Sequence, residues 1–348
     1  MRKENKQHIH PLVADRGTPL EPPITDKFGR TFNYLRLAVN EHCNLRCIYC
    51  MPEEGAPFLD QAQLLSTNEI KIILRAMSDL GVKKVRFTGG EPLLRKDIID
   101  LIKYSSQRSI FESVHITTNG LLLSNYIDQL EQAGLNGINI SLDTLDAEKF
   151  KKITRRDEFQ KVIKGLNAAI LSDIKHIKVN VVTMRDFNHN EILDFVELTK
   201  TNDITVRFIE LMPFDSHQIW KTGKYYGADK ILSHLRENIK HLRPISGSNT
   251  EHHIFQIDGY KGRVAVIPSF TRTLCKKCNR IRITADGKLL NCLYSKKETN
   301  IRDVIRQGLS NELIKDMICQ AMSEKMIDGW SAQRQGNDSR GSMTQIGG

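Results

Sequence analysis

Tyr34-Leu35-Arg36-Leu37-Ala38-Val39-Asn40-Glu41-His42-Cys43-Asn44-Leu45-Arg46-Cys47-Ile48-Tyr49-Cys50 contains a strand and the loop that leaves it. Leu35, Leu37 and Val39 alternate with Arg36 and Asn40, the period-2 pattern of a strand with one apolar and one polar face. Four later runs repeat it. Val85 and Phe87 oppose Lys84, Arg86 and Thr88; Val114 and Ile116 oppose His115, Thr117 and Asn119. Ile138, Ile140 and Leu142 oppose Asn139, Ser141 and Asp143; Ile177, Val179 and Val181 oppose Lys178 and Asn180. A sixth run, Ile204 to Leu211, is less regular, with Arg207 between Val206 and Phe208. Helical patterns separate the runs, near Thr67, Asp97 to Tyr104, Asn125 to Ala133, Asp146, Gln160 to Ile170, and Glu191 to Thr199. Ser66-x-x-Glu69 spells a capping box, and Gly81 and Gly134 stand where a left-handed glycine ends a helix.

Six βα units at this spacing imply an α/β fold with a parallel sheet. Parallel strands buried on both faces read as continuous apolar runs, and these do not. With helices over the apolar faces, the polar faces line a shared concavity, so the expected architecture is a partial (βα)6 barrel of the TIM type. Its lumen is polar and cationic, unlike the filled lumen of a closed eight-stranded barrel. Burying Arg36, Arg86, Lys178 and Arg207 is costly unless counter-charges are present. Either an anionic ligand occupies the lumen or Asp143, Glu91 and Glu210 form salt bridges there.

Three regions are expected. Residues 1–30, with Pro11, Pro19, Pro22 and Pro23 and no periodicity, read as an extended or disordered arm, with order starting near Phe32. Residues 31–245 form the barrel. Residues 246–348 change character: His253 to Asp258 with Arg263 to Ile267, and Ile281 to Thr284 with Lys288 to Leu290, read as hairpins around Gly259/Gly262 and Asp286-Gly287. This C-terminal extension carries a second cysteine cluster and is expected to cap the barrel mouth.

The chain has seven cysteines. Cys43, Cys47 and Cys50 form C-x3-C-x2-C just past the first strand, where barrel active sites lie. Cys275 and Cys278, with Cys292 after thirteen intervening residues, form a second triad. Such short spacings fit metal ligation in a reducing compartment better than a disulfide framework. Cys319 sits in a helical pattern and reads as inert. A [4Fe-4S] cluster takes four ligands, so three thiolates leave one iron open to a small molecule. Zinc is the alternative for each triad, although structural zinc takes four ligands and His42 is awkwardly close to Cys43. A formal charge of +10 favours an anionic partner: nucleic acid, nucleotide or acidic protein. Cations on strand faces favour a small anion over a polymer. No run approaches the roughly 18 apolar residues of a membrane span, and Met1 to Arg30 has no apolar signal core, so a cytoplasmic protein without membrane attachment is expected.

The first triad, with aromatic Tyr49 before Cys50, resembles the radical S-adenosylmethionine superfamily, and Thr88-Gly89-Gly90-Glu91-Pro92 resembles its GGE segment. With the second triad, Cys278-Asn279-Arg280-Ile281-Arg282, Arg86, Lys178, the segment at Ser141 and terminal Ile346-Gly347-Gly348, the chain closely resembles the GTP 3′,8-cyclase family of molybdenum cofactor biosynthesis from about residue 30 to 348. The resemblance implies two [4Fe-4S] clusters, on Cys43, Cys47 and Cys50 and on Cys275, Cys278 and Cys292. It also implies S-adenosylmethionine held by Tyr49, Gly90, Ser141 and Met212. GTP would contact Arg36, Arg86, Thr117, Lys178, Arg280, Ile281 and Arg282, with Arg280 and Arg282 also catalytic. In that family the first cluster cleaves the cofactor to a 5′-deoxyadenosyl radical, which takes hydrogen from C3′ of GTP before C3′ attacks C8. The open iron of the second cluster holds the guanine.

The family further implies a homodimer, a reduced flavodoxin or ferredoxin as electron donor, and cyclic pyranopterin monophosphate synthase as the next enzyme. Glu41-His42 departs from the Asp-Arg-like pair common before the first cysteine, and the arm is longer. One rival is a peptide-modifying member of the same superfamily, which has no need of Arg280, Arg282 or a Gly-Gly terminus. Another is a zinc-containing nucleic-acid-binding protein, against which stands the lack of an aromatic stacking surface. His115, His252 and His253 read as solvated or hydrogen-bonded rather than as ligands.

Overall fold

The computed structural model describes residues 23–107, 111–212, 222–247, 253–335 and 343–345. His252 and the terminal Ile346-Gly347-Gly348 lie outside the described residues. The barrel units run β1 (Tyr34–Ala38), α1 (Thr67–Asp79), β2 (Lys84–Thr88), α2 (Ile98–Gln107), β3 (Ser113–Thr118), α3 (Leu123–Gln132) and β4 (Gly137–Ser141). They continue through α4 (Ala147–Thr154), α5 (Phe159–Leu171), β5 (His176–Thr183), α6 (Ile192–Thr201) and β6 (Ile204–Glu210). Then follow α7 (Ala228–Asn238), β7 (Leu242–Ile245), β8 (His253–Ile257), β9 (Arg263–Ile267), β10 (Arg280–Ile283), β11 (Lys288–Leu290) and β12 (Thr299–Asn300). The helices α8 (Ile301–Arg306), α9 (Asn311–Ser323) and α10 (Gly329–Arg334) follow, and a 3-10 turn at Met343–Gln345 ends the described residues.

The apolar face of each strand is buried under the helices, as alternation demands. Leu35, Leu37, Val85, Phe87, Val114, Ile116, Ile138 and Ile140 are all fully buried in one continuous core. The capping box of α1 forms in both directions, Glu69 N–H donating to Ser66 Oγ and Ser66 N–H to Glu69 Oε2. Gly81 and Gly134 take φ of 77° and 81° at the ends of α1 and α3, the left-handed region glycine enters without strain.

Among the described residues twelve strands join one sheet in the order β12-β11-β10-β1-β2-β3-β4-β5-β6-β9-β8-β7. The six predicted strands are parallel neighbours, and two C-terminal strands extend them: β10 pairs parallel with β1 and β9 parallel with β6. The parallel run is thus eight strands, two more than the βα units supply. β9 and β10 turn outward to antiparallel β8 and β11 rather than to each other, so the barrel stays open. Turn signals in the sequence identify a hairpin partner but carry no information on the parallel neighbour across the barrel. The C-terminal extension therefore lengthens the barrel wall on both sides as well as reaching its mouth.

Order also begins earlier than Phe32. Ile24 is buried, Thr25 bridges Thr31, and Arg30 donates to Cys275 O, Ile327 O and Met326 O. Residues 23–30 are therefore part of the fold, which corrects the end of the expected arm. The partners of Arg30 in the C-terminal region lie 245 to 297 positions away, beyond any local signal. Among the described residues no helix is long and apolar enough to cross a membrane.

Candidate active site

A cavity of about 320 Å³ lies where the polar strand faces meet the loops after β1, β2, β3, β4 and β6, and both cysteine triads line it. The first triad sits on a loop held from three sides. Arg46 Nη1 donates to Cys43 O at 2.6 Å, and Arg155, just past α4, donates to Arg46 O and Met51 O. Ile48 N–H donates to Ile153 O at 2.9 Å, tying the loop to α4. Asn119, after β3, donates to Asn44 Oδ1 at 2.7 Å and contacts Cys43 Sγ at 3.7 Å.

The GGE segment packs on the same loop through backbone. Gly90 N–H donates to Asn40 O and Glu91 N–H to His42 O, at 3.1 and 2.8 Å. A Cβ on Gly89 would stand 2.2 Å from Asn40 O, and one on Gly90 would stand 2.1 Å from His42 O. The glycines are thus required for strand-end contact with the cysteine loop.

The thiols fit a cluster. Burial first, then repulsion from Cys50 and Cys43, pushes the Cys47 thiol well above its usual range, and burial likewise raises Cys43. Such sulfurs become thiolates when a cation neutralises them. Among the described residues no group of three or more His, Cys, Asp or Glu is arranged to hold a single metal ion. His42 is exposed, its ring 4.5 Å from Phe58, and supplies no fourth zinc ligand. Three partly buried thiols per group suit three corners of a [4Fe-4S] cluster. In the second triad burial raises Cys275. At Cys278 burial is outweighed by Lys325, Arg280 and Arg282, and the thiol falls to about 7.

Between the triads the wall is cationic. Arg36 on β1 stands in register with Arg86 on β2 and Arg282 on β10. Burial lowers Arg36 to about 10, with Tyr34 opposing the shift and Arg280 and Arg86 adding to it. Burial, then Arg36 and Arg280, pulls Arg282 well below its ordinary value. Arg280 Nε is buried with no hydrogen-bond partner, a donor set for an incoming acceptor.

The carboxylates proposed as counter-charges are engaged elsewhere. Asp143 accepts from Tyr49 Oη at 2.6 Å and from Val182 N, and burial lifts it to about 6. Glu91 accepts from Leu93 N, Thr118 Oγ1 and Asn119 N. Glu210 accepts from Tyr225 Oη and from the N–H groups of Ala228, Phe270 and Thr271. The salt-bridge reading of these three is therefore corrected: neutral donors hold them. Arg207 meets neutral acceptors, donating to Asn180 Oδ1 at 2.8 Å and Asn139 Oδ1 at 2.7 Å.

Arg36, Arg86, Thr117, Arg280 and Arg282 line the cavity, as do Tyr49, Gly90, Ser141 and Met212. Lys178 and Ile281 do not. Lys178 lies at the level of Asn139 on β5, and the Ile281 side chain is fully buried in the core on the opposite face of β10, leaving only its backbone near the site. Met343 and Thr344 also line the cavity. Sequence reasoning missed Arg272, Lys325 and Asn119. Arg272 stacks 3.5 Å from the Tyr294 ring centre and 3.7 Å from that of Trp330, and Lys325 donates to Asn291 O beside Cys292. Neither lies on an alternating strand. Only Asn119, ending the polar face of β3, carried a usable signal.

An open α/β barrel with a three-cysteine loop after its first strand and a Gly-Gly-Glu clamp after its second is the architecture of the radical S-adenosylmethionine proteins. Residues 37–199 match the Radical SAM superfamily profile, and residues 204–328 match Molybdenum Cofactor Synthesis C. Streptococcus suis SuiB, solved bound to S-adenosylmethionine, shares the fold at a TM-score of 0.57 and 16% identity, covering 84% of this chain and 66% of that one. The GTP 3′,8-cyclase of Chlorobaculum tepidum is 42% identical over 93% of this chain and 97% of its own length. Molybdenum cofactor biosynthesis protein 1 of Bos taurus is 43% identical over 90% of this chain, which spans 50% of that longer protein. The chain belongs to the GTP 3′,8-cyclase family.

Proposed function

We propose that this protein is a GTP 3′,8-cyclase, converting GTP to (8S)-3′,8-cyclo-7,8-dihydroguanosine 5′-triphosphate in the first step of molybdenum cofactor biosynthesis. One observation carries the reading: two three-thiol sites open into a single cavity whose wall between them is built of arginines. When bound, a cluster on Cys43, Cys47 and Cys50 with S-adenosylmethionine supplies the one-electron cleavage and the 5′-deoxyadenosyl radical that removes H3′.

The chain's own residues bind and orient. Tyr49, Gly90, Ser141 and Met212 hold the S-adenosylmethionine, Tyr49 being fixed by its bond to Asp143. Arg36, Arg86, Arg280 and Arg282 receive the triphosphate, for which guanidinium forks are suited. Thr117 assists, Lys178 adds charge from its deeper level, and Ile281 acts through its backbone. Cys275, Cys278 and Cys292 would hold the second cluster, which would supply an open iron for the guanine. This reading brings with it a cytoplasmic setting, a homodimer, a reduced flavodoxin or ferredoxin as electron donor, and cyclic pyranopterin monophosphate synthase as the consumer of the product.

The test is anaerobic. The reconstituted, reduced protein is given S-adenosylmethionine with and without GTP, and products are identified by mass spectrometry. GTP-dependent 5′-deoxyadenosine together with a cyclised GTP isomer is expected; cofactor cleavage with GTP unchanged would contradict the assignment. Arg282→Glu should separate the two substrates. It places an acid where the triphosphate is received, so GTP affinity should fall at least about 100-fold, while binding of S-adenosylmethionine, measured without GTP, stays within a few-fold. Equal loss of both would count against the assignment of Arg282.

A further inference from the structure

Lys325 stands just past α9 and turns inward. A lysine at a helix end ordinarily extends to solvent or bonds the last carbonyls of its own helix. This one is 3% exposed and lines the cavity with Cys275, Cys278 and Cys292. Its ammonium donates to Asn291 O, the carbonyl of the residue before Cys292, and lies 5.4 Å from the Phe32 ring centre. Among the described residues no carboxylate is in ion-pair contact with it. An ammonium taken out of water without an opposite charge is costly, so this one calls for an anion in the cavity.

The stretch that carries it is fastened to the second triad at both ends. Asn291 donates from its side chain to Ala321 O in α9 at 2.9 Å, tying the Cys292 loop to the helix. Arg30, paired with Asp26 at 2.6 Å, donates to Met326 O, Ile327 O and Cys275 O together. Gly329 N–H donates to Cys275 Sγ at 3.3 Å. Asp328, the acid of this stretch, is occupied in capping α10 through Ser331 N–H at 2.7 Å. Residues 325–329 thus run along the triad from Cys292 to Cys275 and set an ammonium beside it. Against burial, Lys325 leads the cations that lower the Cys278 thiol, ahead of Arg280 and Arg282.

We propose that Lys325 is the built-in counter-cation of the second cluster, a positioning residue that offsets the negative charge brought by the three thiolates and sets the potential at which that cluster takes up an electron. Net charge and hydrogen bonding around the sulfurs are the levers a protein has on such a potential. The inference rests on the reading of Cys275, Cys278 and Cys292 as cluster ligands.

Redox titration tests it. Lys325→Gln keeps a donor without the charge, and Lys325→Arg keeps the charge. Each is made in the full-length chain carrying Cys43→Ala, Cys47→Ala and Cys50→Ala, so that the second cluster alone reports. The proteins are reconstituted anaerobically and titrated with dithionite and redox mediators, the reduced cluster being followed by electron paramagnetic resonance. The parent and both variants should hold about four iron atoms per chain. A cation favours the more negative, reduced form, so at a fixed potential the ratio of reduced to oxidised cluster in Lys325→Gln should fall at least about tenfold, about 59 mV for one electron. Lys325→Arg should stay within about threefold of the parent. Loss of iron from the Gln variant but not from the Arg variant would also uphold the charge. An unchanged potential in Lys325→Gln, an equal shift in both variants, or loss of iron from both would overturn the proposal while leaving the second cluster assigned. A parent without iron and sulfide would refute the cluster itself, and the proposal with it.

Discussion

Replacing Cys292 by alanine is expected to cut bound iron from about eight atoms per chain to about four and to lower GTP cyclisation by at least about a thousandfold. Cys292 is partly buried and lines the cavity, and its neighbours hold the backbone without it. Asn291 donates from its side chain to Ala321 O at 2.9 Å and accepts from Lys325, while Ser295 N–H donates to Cys292 O. The second triad should therefore lose a ligand without losing its loop. S-adenosylmethionine binding at the first triad, across the cavity, should survive. Iron and sulfide analysis with product mass spectrometry gives the answer. Full cyclisation by a protein confirmed to lack the second cluster would remove that cluster from the reaction.

How much of this was legible in the chain depends on range. The alternation at Arg36, Arg86, Thr117 and Ser141 placed those side chains on one face, and the structure puts them around one cavity, because a strand's two faces follow from its period. The cysteine loop was legible for the same local reason. What escaped was whatever depends on distant partners. β9 and β10 lie beside β6 and β1, a pairing that no turn residue encodes. Asp143, Glu91 and Glu210 read as counter-ions because charge is visible in a sequence, whereas the backbone N–H groups that occupy them are not. Arg272 and Lys325 come to the cavity from a loop and a helix end, where no periodicity indicates direction.

Gly90→Ala should be strongly damaging to activity, through the backbone alone. The added methyl would stand 2.1 Å from His42 O and 2.5 Å from Glu41 O, both main-chain atoms that cannot rotate aside. Relief requires the segment after β2 to lift from the end of β1, which breaks Gly90 N–H to Asn40 O and Glu91 N–H to His42 O. Glu91 anchors Thr118 and Asn119, and Asn119 in turn reaches Asn44 and Cys43, so the displacement runs directly into the first triad. A cost of about 3 kcal/mol in stability is expected, in the range of overpacked and strained sites. S-adenosylmethionine cleavage should fall by at least about a hundredfold, since small misplacements at a reacting centre cost that much. Second-triad iron, away from the lifted segment, should be retained at about four atoms per chain. Thermal melting, iron content and 5′-deoxyadenosine yield measured on one preparation check all three. Normal cleavage by a Gly90→Ala protein would mean that the contact between the glycine clamp and the cysteine loop does not position the cofactor.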